Sequence, residues 1–557
     1  MTTPFSYNTR QQAIQKMAGR ELDLVVIGGG ITGAGIALDA ASRGLAVGLL
    51  EQSDFAFGTS SRSTKLIHGG LRYLKQLEFG LVKEVGSERA IVHRLAPHLV
   101  VPEKMLLPLY EKKGLGYWLT SIGLKIYDLL AGVKPEDQRR MLTRKQTLKR
   151  EPLLKAADVK GGAIYAEYRT DDARLTIEII KTAFEKGALL ANYSSVSDFL
   201  YEGEKVSGVM VTDLITGTIF SIQAKVVVNA AGPWVDELRK IDHSKNARLN
   251  DKIGQGKRLH LTKGIHVVVA NDRFPVKQAI YFDVEDGRMI FAIPRGRTTY
   301  IGTTDTNYNG SKDDVSATTE DALYIINAVN RTFPKVALTL QDIESSWAGL
   351  RPLIHEEGKS ASELSRKDEI FESESGLISI AGGKLTGYRK MAERIVDKVI
   401  KHYFPQLNKK CLTEKIQFTG SDFKNYDEVK NYRGGLAIQL RVLNLEDYAG
   451  YLVHNYGKQC NNIMAYLKSN LERDTELALL KAELWFSLEY EMVIKPTDFL
   501  VRRTGLLYFN IPRLLKYKDP ILNEFKNHFR WSDQIIENEW HELERVISQA
   551  NQFLKES

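Results

Sequence analysis

Apolar and polar positions change period several times along the chain, and each change marks an element. Leu24 to Ile27 and Leu45 to Leu50 are unbroken apolar runs of strand length, and the stretch between them through Arg43 has helical character. Residues 77 to 160 read as helices: LVKEVGSERAIVHRLAPHLV repeats apolar positions at helical spacing, and LPLYEKKGLGYWLTSIGLKIYDLLAGVKP mixes apolar and aromatic residues with lysines. From Gly161 to Val228 the pattern turns to strands around one helix, Thr176 to Lys186. Alternation in VSGVMVTD predicts a small antiparallel sheet, and VVVNAAGPW returns to a buried strand ending in small residues. Residues 257 to 305 are a succession of β-rich runs. LISIAGGKLTGYRKMAERIVDKVI then reads as strand, glycine pair and amphipathic helix, and from about Phe418 the chain is helical with mixed charge.

This order predicts an α/β protein in three parts behind an N-terminal extension, residues 1–20. A Rossmann-like dinucleotide-binding part is expected from 21–100, 160–255 and 345–400. A β-rich substrate part takes 101–159 and 256–344, and a helical domain takes 401–557. At 557 residues the chain is long for a single core.

Chemistry concentrates at a few points. Gly28-x-Gly30-x-x-Gly33 follows the first strand and opens the helix, with Glu51 closing the second strand 23 residues after Gly28. In that context Gly28 serves the tight turn, Gly30 the approach of backbone to a pyrophosphate and Gly33 the close packing of helix on strand. The Glu51 carboxylate suits a ribose 2′-OH and would repel a 2′-phosphate. Thr59, Ser60, Ser61, Ser63, Thr64, Lys65, His68, Arg72 and Tyr73 form a donor-rich segment with little side chain to bury, suited to lying against a polar or heteroaromatic ligand. The second glycine pair, Gly382-Gly383, precedes Lys384, Thr386 and a helix, again aiming a helix N-terminus at something electron-rich. Two such segments some 350 residues apart favour FAD over a nicotinamide cofactor. Arg351 and Arg366 could hold a phosphate dianion through bidentate bonds or pair with Glu356, Glu357 or Asp368. His266, on a strand between Ile265 and Val267, reads from these residues alone as a core histidine.

Net charge is +8, compatible with anionic substrates, a membrane surface or nucleic acid, but no basic stripe with interleaved aromatics supports a nucleic-acid partner. Two cysteines, Cys411 and Cys460, provide neither a disulfide framework nor a metal site. With no transmembrane run and no signal peptide core visible, the expectation is a cytoplasmic protein. The lysine-bearing stretch around Lys112, Lys113 and Lys125 reads either as a helix lying on the inner face of the cell membrane or as one packed in a core. Homo-oligomerisation is left open.

The run TSSRSTKLIHGGLRYL closely resembles the FAD-dependent glycerol-3-phosphate dehydrogenases, within the flavin oxidoreductases of the D-amino-acid-oxidase type, and later segments resemble them in the same order, DFLVRRTGLLYFN included. The resemblance implies FAD held by Gly28, Gly30, Gly33, Glu51, Thr59, Ser60, Ser63, Lys65, Leu66, His68, Val196, Gly383, Lys384 and Thr386, with Val196 where backbone meets the adenine. It implies a substrate phosphate held by Arg351, Arg366 and Arg72, with Tyr73 beside them. His266 is the implied base, with His68 the competing candidate, and Lys384 would stabilise the reduced flavin. The implied reaction is oxidation of sn-glycerol 3-phosphate to dihydroxyacetone phosphate, with electrons passed to a membrane quinone. An oxidase relative that makes hydrogen peroxide is the alternative; that branch often carries an insertion in the substrate half, which is not seen in this sequence.

Overall fold

A computed structural model of the protein describes residues 3–67, 79–110, 124–125, 138–245, 258–355 and 368–554. Leu22–Ile27 lies inside a mainly parallel sheet, flanked by Val47–Leu50 on one side and Ile219–Asn229 on the other. Leu189–Ala191 continues the sheet beyond Val47–Leu50, and Ile378–Gly382 lies parallel to Ile219–Asn229, with Asp368–Glu372 antiparallel at the edge. The returning strand of VVVN thus sits beside the first strand, as its apolar run predicts. Its side chains are buried, as parallel strands covered on both faces require. The alternating segment forms the predicted antiparallel pair, Ser194–Glu202 with Lys205–Asp213, which feeds into Ile219–Asn229.

The helix Ile31–Ser42 lies against this sheet and against the helix Tyr388–Tyr403. Gly35 makes that approach close, since a Cβ there would stand 2.8 Å from the Tyr388 ring. Residues 3–20 are packed onto this part of the molecule: Phe5, Arg10 and Met17 are fully buried, and the helix Tyr7–Ala18 runs across the sheet edge.

The second sheet centres on Leu259–Ala270, antiparallel to Ile343–Ile354 on one side and to Thr298–Gly302 on the other. It continues through Met289–Arg295 and Ala279–Asp283 to Val101–Tyr110 and Val159–Arg169. Val101–Tyr110 is a strand in a stretch whose sequence reads as helical. The reason is burial on both faces. Leu106 joins the core beneath the helix Thr319–Thr332, while Met105 and Leu107 join the core beneath the C-terminal helices. A strand covered twice has no polar alternation to betray it. The preceding helix, Phe79–Leu95, is where its spacing predicts it.

From Tyr426 to Ala550 the chain is helical, and Leu480, Leu484, Leu514 and Leu522 press on Val268, Trp347 and Tyr300 of the second sheet. No helix among the described residues is long and apolar enough to cross a membrane. Of the basic segment singled out above, Lys112 and Lys113 lie outside the described residues.

Candidate functional site: a dinucleotide cleft and an adjoining basic face

The three glycines of the first turn each meet a different constraint. Gly28 has φ of +110°, and a Cβ on it would come within 2.6 Å of the Ala230 carbonyl oxygen on the neighbouring strand. At Gly33 a Cβ would stand 1.9 Å from the Gly28 oxygen, so only hydrogen lets the helix seat on the turn. Gly30 differs: the nearest atom to its Cβ position is Ser60 Oγ at 3.2 Å. That neighbour is a side-chain hydroxyl rather than backbone, so packing constrains Gly30 less than Gly28 or Gly33, and a glycine there also suits close approach of a ligand to the backbone.

A cleft of about 1440 Å³, part of it open to solvent, runs along these residues; Gly30, Glu51, Ser60, Val196, Trp234 and Gly383 are among those lining it. Glu51 is fixed by two backbone donors, Gly29 N to Oε2 at 2.7 Å and Ser53 N to Oε1 at 2.8 Å. Burial pushes its carboxyl pKa up against the opposing pull of these two N–H groups. Each oxygen keeps a further lone pair that a ribose hydroxyl can use. Ser60 Oγ accepts from Ile31 N at 3.0 Å and so holds the hydroxyl-rich turn against the helix N-terminus.

The far wall comes from the other end of the sequence. Gly382 and Gly383 both have φ of +77°, and a Cβ at Gly383 would meet Met391 Sδ at 2.5 Å. This double left-handed turn brings Lys384 and Leu385 to the cleft, while Thr386 is buried in the turn that starts the helix Tyr388–Tyr403. Two helix N-termini therefore converge on one cleft. With the fixed carboxylate at one end, the residues present fit a dinucleotide whose second half is recognised by the Gly382–Thr386 turn, as FAD requires.

Beside the cleft, the strands Leu259–Ala270 and Ile343–Ile354 offer one face to the Thr59–Lys65 segment. His266 pairs with Trp347 in register, Gly264 with Gly349 and Thr262 with Arg351. The His266 ring stacks on Trp347 at 4.7 Å, and its Nε2 is 3.0 Å from Thr64 Oγ1. Its Nδ1 is buried and has no hydrogen-bond partner among the described residues. Burial first, then the positive charges of Arg351 and Lys65, hold its pKa well below the ordinary 6.5, so the ring is neutral near pH 7. The Arg351 guanidinium lies over Gly264 and donates to the Thr304 carbonyl at 3.0 Å, Asp305 Oδ1 at 3.2 Å and Thr303 Oγ1 at 2.8 Å. A neutral imidazole has the chemistry to accept a proton, and a guanidinium on the same face has the chemistry to hold an anion.

Residues 23–389 match the family model described as FAD dependent oxidoreductase, and residues 411–536 match the C-terminal domain of alpha-glycerophosphate oxidase. The chain is similar to the aerobic glycerol-3-phosphate dehydrogenase of Staphylococcus aureus (strain USA300), with 49% identity over 550 residues and 97% of each chain covered. The chain belongs to the FAD-dependent glycerol-3-phosphate dehydrogenase family. The glycerol-3-phosphate dehydrogenase of Bacillus halodurans, solved as a complex with FAD, superposes with a TM-score of 0.83 at 44% identity, covering 99% of this chain and 100% of that one. An L-alpha-glycerophosphate oxidase from Mycoplasma pneumoniae with FAD bound has a TM-score of 0.53 at 16% identity, over 69% of this chain and 95% of its own. That likeness is one of fold.

For this glycerol-3-phosphate dehydrogenase relative, the hydroxyl-rich segment divides its work. Ser60 and Ser63 line the cleft; Thr59 does too, while its hydroxyl donates to the Leu350 carbonyl at 2.7 Å. Lys65 is buried with its ammonium on Asp172 Oδ1 at 2.5 Å and the Ser61 carbonyl at 3.2 Å, an anchor for the segment. Leu66 pairs with Arg169 at the edge of the second sheet. Val196 lines the cleft from a strand with a bulge between Val196 and Asp198. His68, Arg72, Tyr73 and Arg366 lie outside the described residues. Sequence reading places Thr64 in the hydroxyl-rich segment without its partner His266, and gives no role to Trp347 or Gly264, on which His266 and Arg351 rest, because neither belongs to a recognisable spacing. It also passed over Trp234, which lines the cleft and donates its indole N–H to Asp313.

Proposed function

We propose that this protein oxidises sn-glycerol 3-phosphate to dihydroxyacetone phosphate with FAD and passes the electrons to a quinone. Bound FAD would supply the acceptor for the hydride leaving C2, held by Gly28, Gly30, Glu51, Ser60, Val196 and the Gly382–Thr386 turn. Arg351 would bind the substrate phosphate through donors already oriented by Thr303, Thr304 and Asp305. His266 would take the C2 hydroxyl proton: a ring kept neutral by burial, stacked on Trp347 and tied at one nitrogen to Thr64, is an acceptor that needs little reorganisation. Lys384, lining the cleft beside the second helix N-terminus, would favour negative charge there as the substrate is oxidised.

The observation that carries this reading is the placement of His266 and Arg351 on one face beside the dinucleotide cleft. Arg351→Lys tests it, since lysine cannot reproduce the fork: KM for glycerol 3-phosphate should rise about tenfold with FAD content unchanged. Equal oxidation of glycerol and its phosphate would refute it. Quinone is preferred to oxygen because the relatives at 49% identity are named dehydrogenases, while the oxidase shares only the fold. Anaerobic bleaching by glycerol 3-phosphate should be reversed faster by a quinone analogue than by air; rapid reoxidation in air with matching peroxide release would assign an oxidase. Contact with the inner face of the membrane is proposed through the segment bearing Lys112, Lys113 and Lys125. Reversing those charges should weaken co-sedimentation with anionic liposomes, and unchanged binding would remove the segment from consideration.

A further inference from the structure

The run DFLVRRTGLLYFN contains two adjacent arginines, Arg502 and Arg503, in the helical C-terminal domain, far in sequence from every residue of the cleft. Both are buried, and both point at one carboxylate of the dinucleotide-binding part. Arg502 Nε donates to Asp54 Oδ2 at 2.5 Å, and Arg503 holds both Asp54 oxygens at 2.8 Å. Asp54 itself has no solvent exposure. The arginines leave a six-residue π-helical turn, Asp498–Arg503, a rare winding that recurs at functional sites. Its first residue completes the arrangement: Asp498 Oδ1 accepts from Arg502 Nη2 at 2.7 Å and from the Tyr193 hydroxyl at 2.6 Å.

Asp54 and Tyr193 end the two loops that form the carboxylate end of the cleft. Glu51, Ser53 and Asp54 follow the second strand; Tyr193, Ser194 and Val196 open the antiparallel pair. The loops are stitched by Tyr193 N to the Ser53 carbonyl at 2.9 Å and Ser194 N to the Glu51 carbonyl at 2.7 Å. Glu51, Ser194 and Val196 line the cleft, and Tyr193 sits at φ of +50°, so its loop is held in a conformation that costs energy. Arg502 also lies 5.6 Å from the ring centre of Phe57, a further lining residue. From the other side Arg10 binds Asp213 and the carbonyls of Asn192 and Tyr193.

We propose that Arg502, Arg503 and Asp498 are positioning residues for the adenosine half of FAD, through which the C-terminal helical domain sets the affinity of the cofactor. The inference rests on the FAD assignment above. The pair of loops carries the proposed ribose carboxylate, and among the described residues the cations paired with Asp54 are Arg502 and Arg503, from a domain with no described residue lining the cleft. A carboxylate buried without its partner is strongly unfavourable, so losing the arginines would let Asp54 move toward solvent and carry Glu51 with it.

The test measures FAD dissociation constants on the full-length protein, by fluorescence quenching after reversible removal of the cofactor. Variants are Arg503→Met, Arg503→Lys and Tyr193→Phe, the last a one-atom change that keeps the fold within reach. Lys181→Met is the control: Lys181 is buried in the same domain interface on Glu178 and Glu491 but touches neither loop. Arg503→Met should weaken FAD binding at least tenfold and Tyr193→Phe about threefold, with kcat and KM for glycerol 3-phosphate within twofold of wild type at saturating FAD. Arg503→Lys should recover part of the loss. Lys181→Met should lower the melting temperature and leave FAD affinity unchanged. Affinity unchanged in Arg503→Met and Tyr193→Phe, or lost equally in Lys181→Met, would overturn the proposal. Wild-type protein that fails to take up FAD would instead overturn the cofactor assignment beneath it.

Discussion

Gly264 lies directly beneath the Arg351 guanidinium: a Cβ on Gly264 would stand 2.2 Å from Nη2 and 2.5 Å from Cζ. The two residues are on adjacent antiparallel strands, and the missing side chain is what lets the guanidinium lie flat across the sheet toward His266. Gly264→Ala is therefore expected to displace Arg351 while leaving the cleft intact. KM for glycerol 3-phosphate should rise roughly tenfold or more, the worth of one or two charge-assisted hydrogen bonds, with FAD content and the flavin spectrum unchanged. Steady-state kinetics on the FAD-saturated variant decides it, and an unchanged KM would remove Arg351 from the phosphate site.

His266 is neutral at working pH because burial, then Arg351 and Lys65, disfavour its charged form. The acid limb of kcat is expected below pH 6.5, since the ring need not lose a proton above that point. His266→Ala should cost about 100-fold or more in kcat with FAD retained. A near-normal rate would transfer the role of base to His68.

Substitutions at Gly30 and Gly33 are expected to separate cofactor binding from folding. At Gly33 the added methyl meets backbone at 1.9 Å, so Gly33→Ala should destabilise the fold by about 2–3 kcal/mol. At Gly30, whose φ of −74° suits any residue, the methyl meets only Ser60 Oγ. Gly30→Ala is expected to melt as the wild-type apoprotein does and to bind FAD at least tenfold more weakly, judged by thermal denaturation with and without cofactor.

Three buried imidazoles make stability pH-dependent. Burial, then nearby cations, pushes His98 down to about 3 and holds His266 and His454 well below 6.5. The unfolded chain takes up a proton on each near pH 6.5 while the folded chain does not. Their contribution is therefore whole above pH 6.5 and lost as pH falls below it, by at most about 1.4 kcal/mol per pH unit for each ring. The melting temperature should drop between pH 6.5 and 5, and less steeply in His98→Gln than in wild type.

The sequence by itself determined the parts whose cause is local. A turn that needs φ of +110° at Gly28 and a helix that needs hydrogen at Gly33 leave glycines at fixed spacing, and Glu51 stands at the end of the second strand, where a carboxylate is expected of a ribose site. The Gly382-Gly383 turn and the amphipathic helix after it are legible for the same reason. Tertiary structure decided whatever depends on distant partners. Val101–Tyr110 loses its alternation because two cores cover it. Lys65 looks like a ligand donor in sequence, and only the fold shows its ammonium committed to Asp172. His266 is kept neutral by burial and then by Arg351 and Lys65, distant in sequence but near in space, and Gly264 acquires meaning only when Arg351 lies over it. Arg502 and Arg503 read as one more basic pair on a helix until the fold sets both on Asp54, because an ion pair leaves no spacing in a chain when its members are 448 and 449 residues apart.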